Sequence, residues 1–145
     1  MNLLPYSYKQ RNDWTCGPAV TRIICNYYGI EKQMSQLVRE LKTTRSGTAN
    51  ADVYRVLRKH GIPFRAKKMA TIRELRRRIK SSIILVAYWI PRHKQAHYSL
   101  VKKIARDRIY FHDTWYGSSH SYSIPYFERN WWDPEAKRWA LAIPK

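Results

Sequence analysis

The chain has 145 residues, 44% of them hydrophobic and 14% aromatic. That excludes a disordered or low-complexity chain and suits one domain, residues 1–145, with a real core. No run of about 18 apolar residues exists, so no membrane-spanning helix is expected, and MNLLPYSYKQ lacks the basic start and apolar stretch of a secretion signal. The formal net charge of +18 points to an anionic partner (nucleic acid, an acidic protein segment or an anionic membrane surface) without choosing among them.

Residues 17–29, GPAVTRIICNYYG, place Ala19, Val20, Ile23, Ile24 and Tyr27 at helical spacing. Pro18 suits the first turn, where an N–H is not needed, and Gly29 suits the stop. EKQMSQLVRELK repeats the pattern through Met34, Leu37, Val38 and Leu41. A loop, TTRSGTAN, leads to NADVYRVLRKHG, a third helix with Asn50 as its N-cap and Gly61 as its end. Residues 64–68 read as a strand. TIRELRRRIKSS then carries a capping box, Thr71 with Glu74, and a basic face of Arg73, Arg76, Arg77 and Lys80.

The second half changes character. SSIILVAYWI is continuously apolar and reads as a buried strand. AHYSLVKKI alternates and reads as the next strand, DRIYFHD as a third after a bend near Ala105–Arg108, and RWALAIP as a closing strand. The aromatic-rich segment between, TWYGSSHSYSIPYFERNWWDPEAK, reads as irregular, with its tryptophans packing. Helices first and an antiparallel sheet after predict an α+β fold, a helical half against a sheet half with a cleft between them.

The cleft has candidate chemistry. Cys16 falls where the first helix begins, and a helix start carries about half a positive charge with unpaired N–H groups, which favour a thiolate. Cys25 lies mid-helix among apolar neighbours and reads as an inert core thiol. The two stand roughly 13 Å apart along the helix, too far for a disulfide, and two free thiols suit a reducing, cytoplasmic setting. A nucleophilic thiol needs a base, and the base an orienting acceptor. His97 opens one strand after the turn PRHKQA, and Asp113 ends the next. In an antiparallel pair these points meet at one sheet edge. Gln10, on the loop before the helix, supplies an amide N–H for a developing oxyanion, with the Cys16 backbone N–H. His112 adjoins Asp113, but strand alternation sends the two to opposite faces; His120 lies in the following loop.

Gln10, CGPA at 16–19, YYG at 27–29, AHYSLV at 96–101 and IYFHDTW at 109–115 together resemble the papain-like cysteine peptidases that remove double-glycine leaders from bacteriocin precursors, in particular their stand-alone relatives. The match covers most of the chain in order. It implies a papain-like fold, a peptide or protein substrate with small residues such as Gly-Gly before the cut, and roles by position: Cys16 nucleophile, His97 base, Asp113 orienter, Gln10 oxyanion donor. Thr15 stands where that family often has Asp, and Thr114 where it usually has Pro. The net charge adds an expectation of acidic residues near the cleaved bond.

Two alternatives use the same residues differently. Papain-like sites also run acyl transfer to an amine, through the same acyl-enzyme. A basic, aromatic-rich module that keeps the fold and binds nucleic acid or another partner is the other reading. No metal or cofactor is expected: HKQAH lacks the Glu of a zinc-peptidase helix, and no glycine-rich phosphate loop is present.

Overall fold

The computed structural model describes Gln10 and residues 12–145. Apart from Gln10, the N-terminal stretch behind the expectation of no secretion signal lies outside the described residues. Three helices come first: α1 (Cys16–Tyr27), α2 (Met34–Glu40) and α3 (Asn50–Lys59). Then follow β1 (Arg65–Lys67), α4 (Ile72–Arg78), β2 (Ser82–Ile90), β3 (Gln95–Ile104), β4 (Arg108–Asp113), β5 (Gly117–Ser123), α5 (Ile124–Asn130) and β6 (Ala140–Pro144). The sheet order is β1-β6-β2-β3-β4-β5, and every neighbouring pair is antiparallel.

The unbroken apolar run of β2 has a clear cause. Its alternate side chains serve two cores. Ile83, Leu85 and Ala87 pack with Val20 and Ile23 of α1 and Val53 and Leu57 of α3. Ile84, Val86 and Tyr88 pack on the other face with Leu75 of α4 and Phe127 of α5. The helical segment α1–α3 covers one face of the sheet, as the element order predicts, and α4 and α5 cover the other. Each fully buried Ile or Leu contributes about 1.5–3 kcal/mol, so the two layers hold the sheet rigidly between them.

Helix ends follow the expected chemistry with one exception. Gly29 and Gly61 take φ of 77° and 69° just beyond α1 and α3, a conformation open to glycine. The Thr71 hydroxyl accepts the Glu74 N–H at the start of α4. Asn50 is not an N-cap. Ala49 holds that position, and Asn50 is the first helical residue. The Asn50 N–H is met by the Glu135 carboxylate at 3.1 Å, which frees the Asn50 side chain to accept the Tyr98 hydroxyl.

The segment read as irregular contains β5 and α5. Ser123 caps α5 by accepting the Tyr126 N–H, and Pro125 sits in its first turn. The strand β5 alternates small polar residues with His120 and Tyr122 on the sheet edge, so it lacks the β-branched signature of an interior strand. Trp131 and Trp139 are fully buried, with indole N–H groups donating to the Trp139 carbonyl and to the Tyr54 hydroxyl. Of the tryptophans in the segment read as irregular, Trp131 packs as expected, whereas Trp132 is exposed and stacks on Trp89 at 4.7 Å. Both Cys16 and Cys25 are free thiols. Among the described residues, no helix is long and apolar enough to cross a membrane.

Candidate active site

Cys16 is the first residue of α1, preceded by Thr15 at the N-cap position without a side-chain cap bond. The free amides of this first turn therefore have no intrahelical acceptor. The thiol is covered rather than pointing outward: Cys16 is 5% exposed, and its Sγ accepts the Tyr98 N–H of β3 at 3.5 Å. The next residue brings α1 against the α2–α3 loop. A Cβ on Gly17 would stand 2.3 Å from Thr48 Oγ1, so only glycine fits there. Gly17→Ala is expected to displace Thr48 and cost about 1–3 kcal/mol by overpacking. A lowered unfolding midpoint in urea checks this; an unchanged midpoint would mean that the loop yields freely.

His97 and Asp113 are brought together as the strand reading requires, but not face to face. The β3–β4 register pairs Leu100 with His112. Continued, it sets Ser99 opposite Asp113, with His97 two residues further along the same face. His97 Nε2 lies 2.9 Å from Asp113 Oδ2 and 3.1 Å from Oδ1. The Cys16 side chain lies near enough to act on the ring, and with Nε2 turned to the carboxylate, Nδ1 is left for the thiol. Burial alone would push the imidazole toward its neutral form. Asp113 and Cys16 outweigh it and raise His97 to about 10.

Asp113 is an acceptor for an unusual number of donors. Besides His97, it receives the Tyr88 hydroxyl at 3.2 Å and the Ser99 hydroxyl at 2.7 Å on Oδ2. Oδ1 receives the Trp115 and Tyr116 amides, each at 2.8 Å. Burial opposes ionisation, but these bonds hold the carboxyl well below the usual carboxylate range. Tyr88 and Ser99 were invisible as site residues in the sequence. Their only signal is position, on the strands flanking the His–Asp pair and on its face.

Gln10 is buried at 3% exposure and anchored beside this segment. Its N–H donates to the Thr114 carbonyl at 2.8 Å. The Thr114 hydroxyl donates to its Oε1 at 2.6 Å, and its Nε2 donates to the Asn12 carbonyl at 2.7 Å. The other histidines stand apart from the hydrogen-bonded set. His112 is buried on the opposite face, its ring nitrogens without hydrogen-bond partners among the described residues, and burial lowers its pKa. His120 stacks on Tyr116 at 4.4 Å. His60 pairs with Glu40, and His93 lies exposed in the β2–β3 turn. Cys25 is fully buried and pushed up to about 11 by that burial, the behaviour of an inert core thiol.

A cleft of about 750 Å³ opens onto Cys16 and His97. The α2–α3 loop forms one wall. Trp89, Gln95 and Ala96 of the β2–β3 hairpin form the other, and Asp133–Glu135 close one end. Its charge departs from that of the chain. Asp13, Asp52, Asp133 and Glu135 line it against Lys42, Arg45 and Lys94, in a protein with 28 Lys or Arg and 10 Asp or Glu. The cleft lining is therefore close to charge balance, unlike the chain as a whole. Among the described residues, no group of three or more His, Cys, Asp or Glu could hold a metal ion.

A helix-borne thiol facing a sheet-borne imidazole across a cleft is the architecture of a papain-like cysteine peptidase, and comparison with known proteins agrees. The chain belongs to the peptidase C39 family, whose model matches residues 5–133, and it is a peptidase hydrolase. Among solved structures it is similar to the peptidase domain of Streptococcus ComA, a bi-functional ABC transporter involved in quorum sensing, with TM-score 0.75, 21% identity, and 95% of this chain and 97% of that one covered. A double-glycine motif protease from an AMS/PCAT transporter, in complex with its leader peptide, gives TM-score 0.72 and 16% identity over 94% and 89% of the chains. A C39-like peptidase from Bacillus anthracis gives 0.77 and 12% over 95% and 93%. No curated protein sequence matches the chain.

Proposed function

We propose that the chain cleaves peptide bonds through Cys16 as nucleophile, His97 as general base and acid, Asp113 as the residue that orients His97, and Gln10 as oxyanion donor. The observation that carries this reading is the position of His97, hydrogen-bonded to Asp113 and lining one cleft together with Cys16.

His97 takes the thiol proton, or already holds it as an ion pair, and Sγ attacks the substrate carbonyl carbon. The resulting oxyanion is met by a Gln10 amide N–H and the Cys16 backbone N–H. Collapse breaks the C–N bond, and His97 hands its proton to the departing amine. Water then adds to the thioester with His97 as base, releasing the acid and restoring the thiol. Asp113 keeps a proton on Nε2, so that Nδ1 faces the sulfur.

The substrate is an extended peptide with small residues, such as Gly-Gly, before the cut. Family membership supports this. Peptide-library profiling of the wild type beside Cys16→Ala tests it. Expected is enrichment of Gly or Ala before the cleaved bond with no selection for Asp or Glu around it. Strong selection for large residues there would contradict the substrate assignment.

The surface that suits an anionic partner lies outside the cleft. Residues 65–80 hold eight Lys or Arg and one acidic residue, Glu74, on β1 and α4, away from the face that carries α1. The two free thiols suit work in the cytoplasm.

A further inference from the structure

The proposed oxyanion donor, Gln10, stands on a loop beside the segment that follows Asp113, and a loop amide is useful to an oxyanion only if it is held in place. An unrestrained amide rotates about its last side-chain bond, and its oxygen and nitrogen ends have nearly the same shape. One end stabilises the transition state and the other repels it. Something must therefore choose and hold the orientation.

Thr114 meets that need. It makes two hydrogen bonds to Gln10, one from each part of the residue. Its carbonyl accepts the Gln10 backbone N–H at 2.8 Å, which fixes the loop. Its hydroxyl donates to Gln10 Oε1 at 2.6 Å. At the other end of the amide, Nε2 donates to the Asn12 carbonyl at 2.7 Å. A carbonyl oxygen only accepts, so this contact admits the nitrogen end alone, and the hydroxyl then occupies the oxygen end. One amide hydrogen remains uncommitted. Thr114 is 2% exposed and Gln10 3%, so water does not compete for these bonds.

Thr114 also follows Asp113 directly, and the Asp113 carboxylate is gripped by the amides of Trp115 and Tyr116. One tight segment, residues 113–116, thus holds the acceptor that orients His97 and the partner that orients Gln10. We infer that Thr114 is a positioning residue for the oxyanion donor: its hydroxyl holds the Gln10 amide with a free N–H available to the reacting carbonyl oxygen. This rests on the reading of Gln10 as that donor.

The test compares the wild type with Thr114→Val, Thr114→Ser, Gln10→Ala and the Gln10→Ala/Thr114→Val pair. All are the full chain, assayed on a peptidyl-Gly-Gly aminomethylcoumarin amide, with active sites titrated by a covalent thiol reagent. Val keeps the shape of Thr and removes the donor; Ser keeps the donor. Gln10→Ala is expected to lower kcat per active site about 100-fold, the usual effect of losing one oxyanion donor. Thr114→Val should lower it about 10-fold, with KM within twofold and an unshifted pH profile, because part of the anchoring survives. Thr114→Ser should recover most of the rate, and the double variant should match Gln10→Ala, since without the amide there is nothing for Thr114 to hold.

Wild-type kcat in Thr114→Val beside a crippled Gln10→Ala overturns this inference alone. So does a loss that multiplies with Gln10→Ala, a shifted pH profile, or a fall confined to the active fraction. Wild-type kcat in Gln10→Ala overturns the oxyanion reading itself.

Discussion

Cys16→Ala is expected to abolish peptide cleavage while leaving the fold intact. The whole reaction runs through Sγ, and neither Cys25, fully buried, nor a water in its place supplies an equivalent nucleophile. A loss on the order of 10⁴-fold or more in kcat/KM follows, the scale seen when a nucleophile is removed from a preorganised triad. Folding loses little. The contacts given up are one N–H···S bond of 3.5 Å from Tyr98 and the interaction with His97, and a small-to-smaller change at a helix start costs about 1 kcal/mol. Cleavage assays with circular dichroism melts on the same preparation check both halves. Cleavage retained in the variant would remove Cys16 from the mechanism.

Asp113→Asn is expected to be nearly as damaging. Sequence alone suggests a milder effect than loss of Cys16 or His97, on the argument that packing would retain the orientation of His97. The structure argues otherwise. Oδ1 receives two backbone amides that can only donate, so the asparagine must place its oxygen there and its NH₂ on the side of His97. An NH₂ donates, and it stands at the nearer of the two positions, 2.9 Å against 3.1 Å from Nε2, which favours Nε2 as acceptor with the ring proton on Nδ1. The nitrogen facing the sulfur then carries a hydrogen and no longer serves as base. A wrong tautomer in a triad costs on the order of 10⁴-fold in kcat. Steady-state kinetics check this. A loss below about tenfold would mean that His97 is oriented by something other than Asp113.

The same network makes the pH dependence of stability predictable. His97 is raised from its ordinary value of 6.5 to about 10. Its contribution is fully present below pH 6.5 and is lost as the pH climbs through 10. Asp113 is lowered from 3.8, so its contribution is present above that value and lost as acid protonates the carboxyl. The His97–Asp113 pair therefore stabilises most between those limits and weakens first on the alkaline side. Nitrogen-15 NMR of the imidazoles is expected to show His97 protonated at neutral pH and titrating well above His112, which burial lowers. Cys16→Ala should bring the His97 transition down, since Cys16 is one of the two groups that raise it. A His97 transition near 6.5 in the wild type would contradict the ion-paired site.

The parts of this molecule that announce themselves in sequence are those with local chemistry. Pro18, the apolar spacing of α1 and Gly29 mark a helix with Cys16 at its head, and Thr71 with Glu74 marks another. The continuous apolar stretch of β2 reveals a buried strand, though not which helices do the covering. His97 and Asp113 were legible because an antiparallel pair must bring the start of one strand to the end of the next. What stayed hidden depends on tertiary neighbours. Asn50 looks like a cap but is the first helical residue: Glu135, 85 residues away, accepts its own N–H, and its side chain serves Tyr98. The strand β5 is an edge of small polar residues without strand propensity of its own. Tyr88, Ser99 and Thr114 earn their places at Asp113 and Gln10 through register and turn geometry, for which no local pattern exists. The charge of the cleft is likewise set by loops that meet only in the fold, and it runs against the composition of the chain.

The central claim, a Cys16 sulfur activated by His97, is tested most directly by alkylation near neutral pH with iodoacetamide, read by peptide mass spectrometry in the wild type and in His97→Ala. The account predicts that Cys16 is modified selectively over Cys25 and faster than glutathione under the same conditions, and that the advantage vanishes when the imidazole is removed. Modification of wild-type Cys16 no faster than glutathione, or at the same rate with and without His97, would contradict it.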